Sequence, residues 1–208
     1  MRFNSAVLFF ILALQSLFAQ KILTKTLNDP TLSQIYIQAQ DINSLSITSV
    51  ESKEFLVRGV LDGEYSTHQM LSIVRKGNTL YVVPDFTDKY EIPNDKLSAH
   101  KVFAIALDMC IPSYLEVVVS GEATRVSASG RFKKLNISLV DGMCSLNDIG
   151  EQVYVNSQSG SIFLNQKKGF VTAKSSYGLV EKESIPIGKS VIVLHSVSGH
   201  IKVTKQRP

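Results

Sequence analysis

The chain has 208 residues, a formal charge of +4, 44% hydrophobic and 19% charged residues, and no Trp. That is enough chain for one domain with a sizeable core, and too apolar a composition for a disordered tail. Its mild basicity is spread over pairs such as Lys133-Lys134 and Lys167-Lys168, without the clustered stripe and interleaved aromatics that a nucleic-acid site requires.

At the N-terminus, Arg2 precedes the apolar run AVLFFILAL (Ala6 to Leu14), which leads into QSLFAQ with a small residue at Ala19. This pattern predicts a secretory signal peptide over 1–20, cleaved near Ala19 or Gln20. A membrane anchor needs about 20 apolar residues, and the polar pair Gln15-Ser16 ends this run sooner. No Cys follows the run to carry a lipid, and no second apolar stretch offers a span, so the mature chain is expected to be soluble.

The next segment, 21–100, reads as a strand-rich N-terminal lobe with an acidic loop. IYIQAQDINSLSITSVESKEFLVRGVLDGEYS (35–66) alternates as strands do, and HQMLSIVRKGNTLYVV (68–83) reads as two strands joined at Lys76-Gly77-Asn78. PDFTDKYEIPNDKLSAH (84–100) breaks the pattern with two prolines and the acidic residues Asp85, Asp88, Glu91 and Asp95. Calcium would want such oxygens, but the spacing matches no EF-hand and Lys89 and Lys96 oppose a cation, so a solvated loop is expected.

From 101 to 208 one phrase recurs: VVVSGEATRV (117–126), ISLVDGMCSL (137–146), VNSQSGSIFL (155–164), AKSSYGLVEK (173–182) and LHSVSGHIKV (194–203). Its anchors, Gly121, Gly142, Gly160, Gly178 and Gly199, are spaced by 21, 18, 18 and 21 residues. Alternating apolar residues precede each anchor: Leu115, Val117 and Val119; Leu135, Ile137 and Leu139; Val153 and Val155; Val171 and Ala173; Val191 and Val193. Two positions after each anchor comes Ala123, Cys144, Ile162, Val180 or Ile201, which stacked coils would place in one interior column.

Glycine suits a sharp corner or a close backbone approach that a Cβ would obstruct. Hairpins of a sandwich also give short, evenly spaced strands, but the same phrase returning in the same direction favours a parallel stack. The expected fold is therefore all-β: a parallel β-helix or β-roll-like stack of about five coils, each climbing one interstrand spacing. Lys202, Lys205, Arg207 and Pro208 around the last strand read as blockers of its exposed edge.

The signal peptide, the opening IYIQAQDINSLSITSVESKEFLVRGV, the GNTLYVV strand, the IPSYLEVVVSGEA entry and the successive Ser-Gly or Asp-Gly corners together resemble bacterial putative-adhesin families with β-strand repeats. Proteins carrying the auto-transporter adhesin head GIN domain are similar, and SLFAQ resembles the signal-peptide ends of Bacteroidetes-type bacteria. The resemblance covers nearly all of the mature chain. It implies the fold and export, and it supplies no catalytic residue.

Cys110 and Cys144 would meet an oxidising compartment, which permits a disulfide without establishing one; a buried free thiol at Cys144 is the preferred reading, with Cys110 on the less apolar face of its strand. His68, His100, His195 and His200 form no pair at helical ligand spacing and no cluster with Cys or carboxylate. His195 and His200 flank the last corner, where surface histidines are expected rather than a shared metal. No cofactor is expected.

A polysaccharide-active enzyme on this scaffold needs carboxylates gathered in one groove. Glu116, Glu122, Asp141, Asp148, Glu151, Glu181 and Glu183, with Arg125, face outward without forming a ladder in register, and no G-x-S-x-G elbow occurs. Sugar binding would use exposed aromatics, for which Tyr114, Tyr154, Phe163, Phe170 and Tyr177 are candidates. Phe163, between inward Ile162 and Leu164, turns outward. The function expected is an exported, non-enzymatic, adhesin-like protein of the cell envelope, with a glycan or an envelope protein as partner. Its alternatives are a β-helix enzyme acting on polysaccharide and a periplasmic scaffold or sensory partner of a membrane protein.

Overall fold

The computed structural model describes residues 21–62, 69–86 and 104–207. The structure is all-β, and the described residues hold fifteen strands and no helix. The strands are β1 (Lys21–Asn28), β2 (Gln34–Gln38), β3 (Ser44–Val50), β4 (Glu54–Asp62), β5 (Gln69–Lys76), β6 (Thr79–Phe86), β7 (Ala104–Pro112) and β8 (Glu116–Gly121). The rest are β9 (Arg125–Leu139), β10 (Met143–Ser157), β11 (Ser161–Gln166), β12 (Phe170–Ser175), β13 (Val180–Lys182), β14 (Val191–Ser196) and β15 (Ile201–Lys205). The signal segment 1–20, most of the acidic loop and the boundary near residue 100 lie outside the described residues, as do His68, His100 and Pro208.

Pairing arranges these strands in two parallel rows. The first runs β6, β2, β8, residues 134–139 of β9, residues 152–157 of β10, β14 and β12. The second runs β7, β3, residues 125–129 of β9, residues 143–147 of β10, β11, β15 and β13. One strand of each row makes a layer. The long strands β9 and β10 belong to both rows, and their pairing slips at Asn147/Ile149 and Glu151/Gln152, where the ladder bends from one row into the other.

Chain order and layer order part company at both ends. The layer of β6 and β7 lies outside that of β2 and β3, although it follows it in sequence. At the other end β14 sits between β10 and β12, and β15 between β11 and β13, so the last strands are internal and the β12–β13 layer is outermost. The expectation that the coils climb in order, with Lys202, Lys205 and Arg207 guarding the last edge, is therefore corrected. Lys202 instead pairs with Glu181 of β13 at 3.1 Å.

Side chains alternate along these strands, with a change of phase where β9 and β10 bend, and their inward halves form one core. In the second row the inward ladders run Leu107, Leu45, Val126, Cys144, Ile162, Ile201, Val180 and Met109, Ile47, Ala128, Leu146, Leu164, Val203, Lys182. Cys144, Ile162 and Ile201 have no exposed surface, and Val180 holds the same slot in the half-covered outer layer.

Ala123 does not join this column; it is exposed, and Val126 stands in its place. The reason is a slip of three residues in the first repeat. Gly121 is in register with Leu139, which precedes its own glycine by three, so Thr124 occupies the glycine slot. The buried Thr124 hydroxyl donates to the Ala39 carbonyl, tying that corner to the layer beyond it.

The alternation expected in β14 is also corrected. Ile192 and Leu194 are buried and Val191 is exposed, because the inward series there is Ile192, Leu194 and Ser196. A run of four apolar residues, VIVL, carries no phase of its own.

Candidate functional site

The four later anchors stack on one another at the corner between rows. A Cβ on Gly160 would strike the Gly142 carbonyl, one on Gly199 the Gly160 carbonyl, and one on Gly178 the Gly199 carbonyl. Gly142 also has φ +134°, so its glycine is needed for conformation as well as for space. Each of the last three corners begins with a serine three residues before the glycine. Ser196 Oγ accepts from Gly199 N at 2.8 Å, and Ser175 Oγ accepts from Gly178 N at 3.0 Å while donating to the Gly199 carbonyl at 2.9 Å. At Gly142 the donor instead meets Asp141 Oδ1 at 2.8 Å. These corners hold the layers in register, and that register builds the outward ladders.

On the outer face of the second row, the ladder Ser46, Ser127, Ser145, Phe163, Lys202 lies beside the ladder Thr48, Ser129, Asn147, Asn165, Thr204. Together they line a groove of about 360 Å³. It crosses five strands, about 19 Å at an interstrand spacing of ~4.8 Å. The floor is smooth because Ser46, Ser127, Ser129 and Ser145 stand where larger side chains would fill it. Asn165 Nδ2 donates to Asn147 Oδ1 at 3.1 Å, and Thr204 Oγ1 to the Leu164 carbonyl at 3.3 Å, so the amide ladder is oriented. Phe163 offers an apolar ring, half-buried, on the fourth of the five strands, between the hydroxyl and amide side chains and the Lys202 amine.

Among the described residues no carboxylate lines the groove. The carboxylates singled out in the repeats are each engaged, all but Glu181 with partners outside the groove. Lys133 meets Glu116 at 2.7 Å, Lys167 meets Asp148 at 2.9 Å, and Arg131 meets Glu151 at 3.8 Å. Gln40 Nε2 donates to Glu122 at 3.1 Å, Gly142 N to Asp141 at 2.8 Å and Lys205 N to Glu183 at 2.7 Å. Glu181 faces Lys202, with His200 at 3.5 Å. The hydrogen bond from Lys133 holds the Glu116 carboxyl below the ordinary range, and that from Lys202 does the same for Glu181. These are cation pairs, where glycoside chemistry wants carboxylates facing each other across a bond.

Among the described residues no cluster of His, Cys and carboxylates could hold a metal ion. His195 lies on the first row, in register with Asn156 and Lys174, whereas His200 adjoins Glu181 of the second. Both cysteines are free; Cys144 is fully buried, which pushes its thiol up to about 12, and Cys110 is half-exposed on the outer face. Tyr154 belongs to the opposite row under the Lys134 amine, 5.5 Å from its ring centroid. Tyr114 is exposed at the entry to β8. Phe170 and Tyr177 belong to the outermost layer, so of the five aromatic candidates the groove contains Phe163 alone.

A residue that the sequence did not point to is Gln166, almost fully buried at the second corner. Its Oε1 accepts from Ile149 N at 2.9 Å, and its Nε2 donates to the carbonyls of Ile149 at 2.8 Å and Lys168 at 3.0 Å. Its only sequence signal is its phase: it falls on an inward position two residues after Leu164.

No protein-family model matches the chain, and no curated protein does. Solved structures do. A putative cell adhesion protein from Clostridium sporogenes is similar over 90% of this chain and 100% of its own, with a TM-score of 0.64 at 14% identity. A putative adhesin from Bacteroides fragilis is similar over 88% of this chain and 97% of its own, with a TM-score of 0.38 at 14% identity. The chain thus shares its fold with the clostridial protein, and its structural neighbours are putative adhesins from Clostridium and Bacteroidetes. No helix among the described residues is long and apolar enough to cross a membrane.

Proposed function

We propose that this chain is an exported, non-enzymatic, adhesin-like protein of the cell envelope that binds glycan in the Ser/Thr/Asn groove of its second row. The two rows are read as the faces of a short β-helix or roll, and the groove as the outer surface of one face. One observation carries the reading: five successive strands place hydroxyl and amide side chains in register beside a single half-buried aromatic ring. Sugars present both kinds of surface, hydroxyls to bond and an apolar ring face to stack, and a few convergent polar groups around an apolar contact make a specific site. The lack of carboxylates in the lining supports binding over cleavage, and the name of the clostridial neighbour supports adhesion.

The test is a glycan-array screen of the full mature chain and of Phe163→Ala, with an assay for cleavage of each bound polymer. The reading expects glycan binding without cleavage, weakened by about tenfold in the variant. Binding unchanged by Phe163→Ala, or shortening of the polymer, overturns it.

A further inference from the structure

The four most exposed large hydrophobic side chains among the described residues all belong to the outermost layer: Ile187 at 90%, Tyr177 at 86%, Phe170 at 60% and Leu179 at 58%. They fall on different parts of that layer. Phe170 opens β12, Tyr177 and Leu179 form the corner between β12 and β13, and Ile187 lies in the connection from β13 to β14. Scattered exposed hydrophobics are ordinary, but this concentration at one end marks an interaction surface.

Charge identifies the occupant. Residues 168–190 carry Lys168, Lys174, Lys182 and Lys189 against Glu181 and Glu183, and both carboxylates are already engaged, with Lys202 and with the Lys205 amide. The end is therefore basic. A second copy joining end to end would bring like charge against like. It would also meet Lys182, which stands in a core slot in register with Val203 and reaches across to the Val171 carbonyl. An inward-pointing charge on a three-residue edge strand is a device that refuses another strand.

We propose that this end docks on the surface of an anionic phospholipid bilayer, with Tyr177, Leu179, Ile187 and Phe170 entering the interface and Lys168, Lys174 and Lys189 meeting the headgroups. Aromatic and aliphatic tips on a basic rim match both halves of that surface. Because the outward ladders run from layer to layer, docking by the last layer stands the stack upright on the membrane, with the groove running away from the bilayer from its Lys202 end.

The experiment is co-sedimentation of the full mature chain with vesicles of phosphatidylglycerol and phosphatidylethanolamine in equal parts, against vesicles of phosphatidylcholine alone. It is run at low and high salt, with light scattering of the free protein. The expected result is sedimentation with the anionic vesicles only, weakened by salt, and reduced about tenfold or more in Tyr177→Ser/Ile187→Ser. A Tyr177→Trp/Ile187→Leu variant restores it, and circular dichroism confirms that both variants are folded. The proposal is overturned by equal sedimentation with both vesicles, by none with either, by undiminished binding of the serine variant, or by a dimer that the serine variant dissolves. Phe163 lies outside this end, so glycan binding stands or falls separately.

Discussion

The two ends of the stack solve the same problem differently. At the β6–β7 end both rows are closed by antiparallel strands: β5 pairs along β6, and β4 then β1 pair outside β7. At the β12–β13 end nothing follows, although the chain continues; it turns back and inserts β14 and β15 one layer inward. The first end extends each ladder with antiparallel strands, leaving β1 and β5 as its edges and Leu23, Leu27, Leu71 and Ile73 half-covered, and it buries Phe55 and Leu61 of β4. The second leaves two short edge strands, half-covered Ala173, Val180 and Ile185, and a lysine where the core ladder would place an aliphatic residue. An end extended by antiparallel strands deepens the core beneath it, whereas an end guarded against strands remains available to something else.

Core truncation breaks the comparison most severely. Phe55→Ala, at 1% exposure on β4, should cost about 3–5 kcal/mol in urea unfolding, whereas Val180→Ala at the open end should cost less than about 1 kcal/mol. Equal costs would mean that the open end is as well packed as the closed one.

Glycines sharpen it next. Gly178→Ala drives a Cβ into the backbone of Gly199 and should cost about 2–3 kcal/mol. Gly77→Ala, in the hairpin of the closed end with φ +61° and open space around it, should cost about 1–2 kcal/mol for the left-handed backbone alone. Reversal of that order would overturn the stacked-corner account.

Lys182→Leu removes the guard. Stability should move by less than about 1 kcal/mol, but size-exclusion chromatography with light scattering should now show concentration-dependent association. A variant that stays monomeric would show that the lysine is not what refuses an added strand.

The smallest effect is on pH. Glu181 of the open end and Asp29 beyond β1 of the closed end are both held low, the first by the Lys202 hydrogen bond and the second chiefly by hydrogen bonds from Thr31. A carboxyl with a depressed folded pKa adds stability above its unfolded value and loses it as pH falls through the folded one. Acidification below the ordinary carboxylate range should therefore weaken both ends slightly. Glu181→Gln should remove its share of the slope while Asp29 keeps its own, as melting curves across that range would show.

What could be read from the residues alone was local. The Gly corners, the outward Phe163 and the buried Cys144 all follow from alternation within ten residues. Register between repeats was harder. Anchoring the first repeat on Gly121, which holds the slot of Leu139, rather than on Thr124 slipped it by three, and the serine three positions before Gly160, Gly178 and Gly199 marks the glycine slot in the last three repeats only. The inserted last layer was invisible as topology, because parallel pairing leaves no mark in a single sequence. Lys182 in an inward slot of a three-residue strand was the available sign that this segment, not the C-terminal one, forms the edge. The groove depends on which repeats are neighbours, so it could not be assembled before that order was known.

The measurement that bears most directly on the central claim is an amide chemical-shift map of the mature chain titrated with the best-binding glycan. The account predicts shifts concentrated on residues 46–48, 127–129, 145–147, 163–165 and 202–204, with Val118, Asn136 and Tyr154 of the opposite row unmoved. Shifts centred on that opposite row would contradict it.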